Sequence, residues 1–142
     1  MTVAHILADK SAEVVSVSPD ESVLAAVGLL HERRIGAVLV CEGETVHGIF
    51  SERDVVRGLA REGPACLDRP VASLMTADVQ TCRPDQPIVE VMGLMTDRRI
   101  RHLPVTTDDR LVGIVSIGDL VKRRIAEAQD EAEALRTYIT AG

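Results

Sequence analysis

Apolar residues follow two different spacings along the first part of the chain, and each spacing predicts one kind of element. Val23, Ala26, Val27 and Leu30 lie at positions i, i+3, i+4 and i+7, which places them on one face of a helix. From Ala37 to Cys41 the apolar residues form a continuous run, which is typical of a buried strand. After a polar turn, residues 46–50 return as the hairpin partner. The predicted order is a strand at 14–17, a helix, two strands, and a second helix from Ser51 to about Arg61.

The same pattern returns 65 residues later. Fourteen of the 43 positions from 14 to 56 are identical to the residue 65 positions further on, where chance would give roughly one match in fifteen. Three blocks carry the match: Pro-Asp at 19–20, Arg-Arg-Ile at 33–35 and Gly-Ile-x-Ser-x-x-Asp at 48–54. The duplication predicts two similar halves about a pseudo-two-fold axis, with small sheets covered by helices. The second copy then has elements at 79–82, 86–99, 102–106, 111–115 and from 117 onward.

An aspartate is the expected start of the first long helix in each half. Asp20 and its counterpart Asp85 can both accept a hydrogen bond from a free backbone N–H group, as an N-cap does. Ser18 is an alternative cap in the first half, but its counterpart Arg83 cannot cap. With Asp85 as the cap, Pro87 lies in the first helical turn.

Two short helices are predicted outside the repeated segment. In the connector, Asp68-Arg69-Pro70 is typical of a cap with a proline near the helix start, so we expect a helix from Val71 to Met75. Thr2 to Ala8 is its expected N-terminal counterpart. The chain is accordingly divided into a first repeat at 2–65, a second repeat at 66–127 and a C-terminal helical extension at 128–142.

The last helix is longer than its counterpart in the first half. Its apolar residues alternate at spacings of four and three, as do the a and d positions of a coiled coil. This seam either packs on its own domain or forms the contact of a homodimer. The dimer is favoured because about three helical turns extend past the repeat. The seam consists of Val121, Ile125, Ala128, Ala132, Leu135 and Ile139.

Composition and charge argue against several classes of partner. The net charge of −6 and the isoelectric point near 5.2 disfavour nucleic acid and anionic membranes. Aromatic residues make up 1% of the chain, too few to stack single-stranded bases. No apolar run approaches the roughly 20 residues of a membrane span, and residues 1–10 lack the apolar run of a secretory signal.

Cysteine and histidine usage points to a reducing compartment and to no metal. The three cysteines are odd in number and lack C-x-x-C spacing, which fits the cytoplasm better than a disulfide framework. The four histidines are scattered, so neither a metal site nor any required cofactor is expected.

The repeat order and its motifs resemble those of CBS domains (cystathionine β-synthase domains), which occur in pairs as the Bateman module. The resemblance rests on the Pro-Asp, Arg-Arg-Ile and Gly-Ile-x-Ser-x-x-Asp blocks in both halves and on Arg-His-Leu-Pro-Val at 101–105, and it covers about residues 2–127. It implies an α/β fold (an α+β sandwich) of two βαββα repeats with small mixed sheets flanked by helices. It also implies a stand-alone bacterial CBS-pair protein that binds adenine nucleotides or adenosyl compounds in clefts between the repeats.

The residues of the signature make physical sense of such a ligand. Ser51 and Ser116 lie at predicted helix starts, where free N–H groups and the helix dipole favour an anion. Asp54 and Asp119 lie one turn further on the same face, and a carboxylate can accept both hydroxyls of a ribose. Gly48 and Gly113 would let a ligand approach the backbone closely, and Ile49 and Ile114 point inward on their strands. The resemblance adds residues that flank the adenine or meet phosphate in this family: Gly36, Ala37, Val38, Arg53, Thr81, Arg101, His102, Leu103 and Pro104.

Two alternatives remain open for this signature. Ser-x-x-Asp at a helix start is close to a capping box, so these residues could serve only to cap. The halves also differ where phosphate would lie, because Arg53 matches Gly118 and Arg101 matches Gly36. Arg53 and Arg101 could therefore serve either cleft, and the two clefts need not bind the same ligand. The Arg-Arg pairs at 33–34 and 98–99 are expected at helix ends, where their charge suits the dipole.

Three functions compete on this basis. The first is a regulatory module that binds an adenine nucleotide (AMP, ADP, ATP or NAD) or S-adenosylmethionine and signals to an unidentified effector protein. The second is an enzyme, which the lack of a nucleophile–base set, a metal site or a P-loop disfavours. The third is a structural or interaction dimer whose clefts bind nothing.

Overall fold

The computed structural model describes residues 1–9 and 14–141, and its helices and strands follow the predicted order except at 79–82. A 3₁₀ segment at Gly63–Asp68 was not predicted. The elements are α1 Val3–Asp9, β1 Ser16–Val17, α2 Val23–Arg33, β2 Ala37–Glu42, β3 Thr45–Ser51, α3 Glu52–Glu62, α4 Val71–Leu74, α5 Ile88–Arg98, β4 His102–Thr107, β5 Arg110–Ser116 and α6 Ile117–Ala141.

Two small sheets form, one in each half. In the first, β1 pairs in parallel with β2, and β2 pairs antiparallel with β3; in the second, β4 and β5 form an antiparallel hairpin. The hairpins have the same register 65 residues apart, down to a bulge after Val40 and after Val105. β3 and β5 contact each other between the halves. This mixed fold of two related halves confirms the predicted class.

The strand predicted at 79–82 is wrong. Only Cys82 forms a bridge there, parallel to Val105. In the first half the Leu39 N–H donates to the Val15 carbonyl at 3.3 Å, which extends the pairing of β1. The counterpart of Leu39 is Pro104, and proline has no N–H to donate. The second sheet therefore lacks a regular third strand.

The predicted Asp caps are also wrong. Ser22 is the N-cap of α2, and its hydroxyl accepts from the Ala25 N–H at 3.1 Å. At the start of α5, Pro87 occupies the cap position itself, with no side-chain cap bond. Both residues are extended and form symmetric backbone bridges, Ser22 with Pro70 and Pro87 with Thr2. These bridges to distant segments hold the backbone extended, so each helix begins after them.

Each half owes part of its core to the short helix that precedes the other half. Val3 and Ile6 of α1 are buried with the core of the second half, whereas Val71 of α4 is buried with that of the first. The short helices at both predicted places are therefore present, and they tie the halves together. The first core consists of Val23, Ala26, Leu30, Val38, Val40, Phe50 and Val71; the second consists of Val3, Ile6, Cys82, Ile88, Val91, Met95, Leu103, Val105, Val115 and Leu120.

The three cysteines are buried and contribute to packing. Cys41, Cys66 and Cys82 are free and buried. Burial raises the pKa of the Cys82 thiol to about 11, against the lowering effect of Arg83, so the reactive thiolate is disfavoured. Within residues 1–9 and 14–141, no group of three or more His, Cys, Asp or Glu side chains could hold a metal ion.

The long helix α6 leaves its apolar seam largely open to solvent. Only Leu120 of this helix is buried, while Ile125, Leu135 and Ile139 are between 53% and 68% exposed. The alternative in which this seam packs on its own domain is therefore wrong for these residues. None of the helices in the described parts of the chain has the length and apolarity of a membrane span.

Candidate functional site

The repeated Gly-Ile-x-Ser-x-x-Asp segments span the junction between a strand and a helix in each half. Ser51 ends β3 immediately before α3, and Ser116 ends β5 immediately before α6. The Ser51 and Ser116 N–H groups each donate to the carboxylate three residues on, at 2.9 Å in both halves. The capping interpretation is thus confirmed as local structure. It does not exclude ligand binding, because the Ser116 hydroxyl accepts from the Asp119 N–H and can still donate a bond, and the Ser51 hydroxyl, which donates to Asp54, can still accept one.

Asp54 is held by four hydrogen bonds from its own chain. Its Oδ2 accepts from the Ser51 N–H and the Ser51 hydroxyl, at 2.9 and 3.2 Å. Its Oδ1 accepts from Arg57 Nη1 at 3.3 Å and from the Thr76 hydroxyl at 3.2 Å. The residue is 2% exposed. Since a carboxylate has about four lone-pair positions, Asp54 has its acceptor capacity filled within the protein.

Asp119 has a different environment despite the same backbone. The Ser116 hydroxyl accepts from the Asp119 N–H at 3.1 Å, which completes a capping box, and the residue is half-buried. Leu7 lies against Gly113 as Met75 lies against Gly48, so Ala8 takes the place of Thr76. Alanine brings no hydroxyl to this carboxylate. Asp119 is the more accessible of the two carboxylates.

Two clefts lie between the halves, one beside each of these aspartates. The Asp54 cleft has a volume of about 590 Å³ and combines β3 and α3 of the first half with residues 98–102 of the second. The Asp119 cleft has a volume of about 480 Å³ and combines β5 and α6 with residues 34–37. Both volumes suit a small organic ligand. The Asp54 cleft is lined by Gly36, Ile49, Ser51, Glu52, Arg53, Asp54, Val56, Arg57, Thr76, Arg98, Arg99, Ile100, Arg101 and His102; the Asp119 cleft is lined by Val15, Arg34, Ile35, Gly36, Ala37, His102, Ile114, Val115, Ser116 and Asp119.

Arg53 and Arg101, which the sequence did not assign to one cleft, lie together in the structure. Arg53 and Arg101 both line the Asp54 cleft, although they come from different halves. Arg53 crosses the cleft, and its Nη1 donates to the Arg99 carbonyl at 3.3 Å. Gly36 and His102 line both clefts, and they form the wall that the clefts share.

The predicted role of Gly48 and Gly113 is corrected by the structure. A Cβ at Gly48 would lie 2.7 Å from Met75 Sδ and from the Thr76 carbonyl oxygen, and one at Gly113 would lie 2.6 Å from Leu7 Cδ2. The missing side chains make room for the segments that cross between the halves, and not for a ligand.

The structure brings eleven of the seventeen predicted site residues to a cleft and leaves six elsewhere. Val38 and Leu103 lie in the two cores, Pro104 is buried in β4, and Thr81 is exposed outside both clefts. The two glycines are the remaining pair.

Several lining residues were missed by the sequence analysis. Thr76 belongs to the connector and reaches Asp54 from 22 residues away. Arg34 and Arg99 were expected only as helix ends. Both are indeed C-cap residues, but they adopt left-handed backbone conformations with φ of 55° and 54° and also line the clefts. Their recurrence in the repeat was the available signal.

Comparisons of the sequence and of the structure with known proteins both find CBS domains. The CBS domain family model matches residues 3–61 and 71–126. A CBS-domain containing protein from Agrobacterium tumefaciens is 43% identical, with a TM-score of 0.85 over 87% of this chain and 99% of that one. The mitochondrial CBS domain-containing protein CBSX3 of Arabidopsis thaliana is 35% identical over 87% of this chain, which spans 62% of that protein's length.

A more distant structure has bound ligands. The CBS domain pair of protein MJ0100, in complex with 5′-methylthioadenosine and S-adenosyl-L-methionine, is 23% identical, with a TM-score of 0.78 over 89% of this chain and 98% of that one. At this identity the likeness concerns the fold alone.

Proposed function

The chain belongs to the CBS domain family, and from this premise we propose that it is a non-catalytic regulatory module that binds adenine nucleotides or adenosyl compounds in its two clefts. Binding would be passed to an effector protein. One observation carries the proposal: each half places a helix start, a serine and an aspartate at the edge of a cleft whose other wall is the opposite half. A ligand there contacts both halves, and its binding energy can therefore change how they pack.

The chemistry of each cleft suits the parts of an adenosine compound. Ile49 and Ile100 line the Asp54 cleft, and Ile35 and Ile114 line the Asp119 cleft, so both offer apolar contacts for a purine. The N-terminus of a helix attracts an anionic group. The adenosyl ligands bound by the CBS pair of MJ0100 support this class of ligand.

Two other functions have less support. An enzyme would need a nucleophile, a base and an orienting group in mutual contact, and the aspartates recur as a symmetric pair instead. A structural dimer is favoured by one observation, the exposed seam of α6, and it would leave the clefts without a ligand.

Thermal unfolding with adenosine, 5′-methylthioadenosine, S-adenosylmethionine, NAD, AMP, ADP and ATP tests the proposal. A ligand that binds only the folded protein adds about 2.7 kcal/mol at a hundredfold excess over its dissociation constant. We expect at least one compound to raise the melting temperature and to remain chemically unchanged by chromatography. Turnover would favour an enzyme, and no shift with any compound would favour the structural dimer.

The proposal includes a homodimer formed through α6. In a parallel arrangement the seam of one copy meets that of the second, and Glu131 lies beside Arg136 of the second copy at the flanking positions of the heptads. Such an opposite-charge pair favours that register. The apolar residues Ile125, Leu135 and Ile139, which are exposed in one chain, would be buried.

Light scattering at micromolar concentration measures this assembly. Ile125→Asp with Leu135→Asp places charges in the seam and should yield monomers, because buried unpaired charge is costly. Ala134→Asp lies outside the seam on an exposed position, and it should leave the dimer intact. A monomeric wild-type chain would contradict the dimer.

A further inference from the structure

The two clefts differ sharply in charge. The Asp54 cleft is lined by five arginines and two acidic residues, an excess of three positive charges. Among residues 1–9 and 14–141, the charged residues that line the Asp119 cleft are one arginine and one aspartate. The whole chain carries a net charge of −6, so the positive cleft stands out against an acidic protein. A local excess of this sign attracts anionic ligands.

Four of the five cleft arginines form no ion pair with a described residue, so their charge remains available for a ligand. Arg57 is engaged by the buried Asp54 carboxylate, and Arg53 reaches only a backbone carbonyl. Arg98, Arg99 and Arg101 form no ion pair with any described residue. A guanidinium pairs with phosphate through two parallel hydrogen bonds. Several unpaired guanidinium groups in one cleft therefore indicate a ligand with more than one phosphate.

One of the arginines that line the Asp54 cleft has a strained backbone. Arg99 adopts a left-handed conformation that non-glycine residues rarely adopt and that costs energy. Its counterpart Arg34 does the same beside the Asp119 cleft. Each cleft thus receives one arginine from a strained helix end. Only the Asp54 cleft adds Arg53 and Arg101, because their counterparts are glycines.

We propose that the clefts select different ligands: the Asp54 cleft takes an adenosine di- or triphosphate, and the Asp119 cleft takes an adenosyl compound without phosphate. This rests on the proposed function of both clefts. Each phosphoryl group adds about one to two negative charges, which the Asp54 cleft can balance. In the Asp119 cleft the same phosphates would meet one arginine and the Asp119 carboxylate. Asp119 is less buried than Asp54, and a carboxylate can accept ribose hydroxyls.

Arg53 and Gly118 occupy counterpart positions in the two halves, and exchanging the residue types at these positions tests the proposal. Arg53→Gly removes the arginine that crosses the Asp54 cleft. Gly118→Arg adds its counterpart to the Asp119 cleft, where a Cβ would meet only the Ser116 hydroxyl at 3.6 Å, so the side chain has room. Arg61→Ala is the matched control, since it removes a charge from an exposed position of α3 outside both clefts.

Calorimetric titrations with ATP and with 5′-methylthioadenosine separate the clefts. We expect Arg53→Gly, and independently Arg101→Ala, to weaken ATP about tenfold or more, the loss of a hydrogen bond to a charged group, with 5′-methylthioadenosine affected less than twofold. Gly118→Arg should strengthen ATP binding at a second site, and Arg61→Ala should change neither ligand. Added salt should weaken ATP and not 5′-methylthioadenosine. The unliganded melting temperature of each variant checks its folding.

The outcomes distinguish the two proposals. If both probes bind but compete for one site, or if ATP affinity is the same in Arg53→Gly and Arg101→Ala as in the wild type, the selectivity is wrong and the binding function stands. If neither probe, or only one of them, binds the wild-type protein, the selectivity is overturned; the binding function falls as well only if adenosine, S-adenosylmethionine, NAD, AMP and ADP also leave the melting temperature unchanged.

Discussion

The Asp54 and Asp119 clefts share a backbone frame and differ in the side chains that face a ligand. In both, a strand ends in a serine, and the serine N–H donates at 2.9 Å to an aspartate in the first turn of the following helix. Around the first aspartate stand Thr76, Arg53 and Arg101; at the counterpart positions stand Ala8, Gly118 and Gly36. Duplication therefore fixes the shape of the two sites, while their charge and hydrogen-bonding capacity are set by a few positions that vary independently.

The largest difference in stability between the halves is expected when alanine replaces each of the two buried glycines, Gly48 and Gly113. In Gly48→Ala the new Cβ would lie 2.7 Å from the Thr76 carbonyl oxygen, and the Thr76 backbone is fixed by two hydrogen bonds to Ile49. We expect the free energy of unfolding to fall by about 2–3 kcal/mol, as in overpacked cores. Gly113→Ala meets only the end of the flexible Leu7 side chain and should cost about 1 kcal/mol. Urea denaturation measures both, and equal losses would show that both crossing segments are equally rigid.

The second largest difference in stability is expected between variants of the two aspartates. Asp54→Asn removes the charge that pairs with Arg57 and places an amide among donors, so the unliganded protein should lose about 1.5–3 kcal/mol of stability. Asp119→Asn should lose about 1 kcal/mol, the usual value of a helix cap. In ligand titrations we expect the order to reverse, because Asp119 is the less buried of the two aspartates. A variant Asp119→Asn that keeps full affinity for 5′-methylthioadenosine would limit this residue to capping.

A smaller effect is expected from the connector threonine. Thr76→Ala removes one donor to Asp54 and gives the first half the residue found in the second, so stability should fall by about 1 kcal/mol. Thr81→Ala is the matched control, since this residue is exposed and its hydroxyl forms no hydrogen bond with a described residue, so stability should change by less than about 0.5 kcal/mol. Equal melting temperatures for the two variants would mean that the bond to Asp54 contributes nothing.

The sequence predicted those features that depend on neighbouring residues. Apolar periodicity located α2, the hairpin β2–β3 and α3, and the repeat transferred them to the second half. It also located both serine–aspartate pairs, because their bonds join residues three apart. The loss of the strand at 79–82 was accessible too, since Pro104 visibly lacks the donor that Leu39 supplies.

Features that depend on distant segments could not be predicted in this way. Ser22 caps α2 in place of Asp20 because a bridge to Pro70 fixes the backbone. Nothing in the local pattern shows that α1 completes the core of the second half, or that Thr76 reaches Asp54. The gathering of Arg53 and Arg101 in one cleft requires the packing of one half on the other, so the sequence left both clefts open to them.

The smallest effect on stability is expected when glycine replaces Arg34 or Arg99, the two arginines with a left-handed backbone. These two variants also compare the clefts directly, because each arginine lines a different cleft. Arg34→Gly and Arg99→Gly both relieve a left-handed conformation that costs an L-residue roughly 1–2 kcal/mol. Glycine loses about 0.5–1 kcal/mol through its greater freedom in the unfolded chain, so each variant should gain about 0.5 kcal/mol in urea denaturation. Their binding should nevertheless diverge, because only Arg99 belongs to the cleft with the excess of arginines. ATP should bind Arg99→Gly about tenfold more weakly and Arg34→Gly as it binds the wild type. If Arg34→Gly also weakened ATP tenfold, both clefts would hold phosphate, and the difference in charge between them would have no role in selecting the ligand.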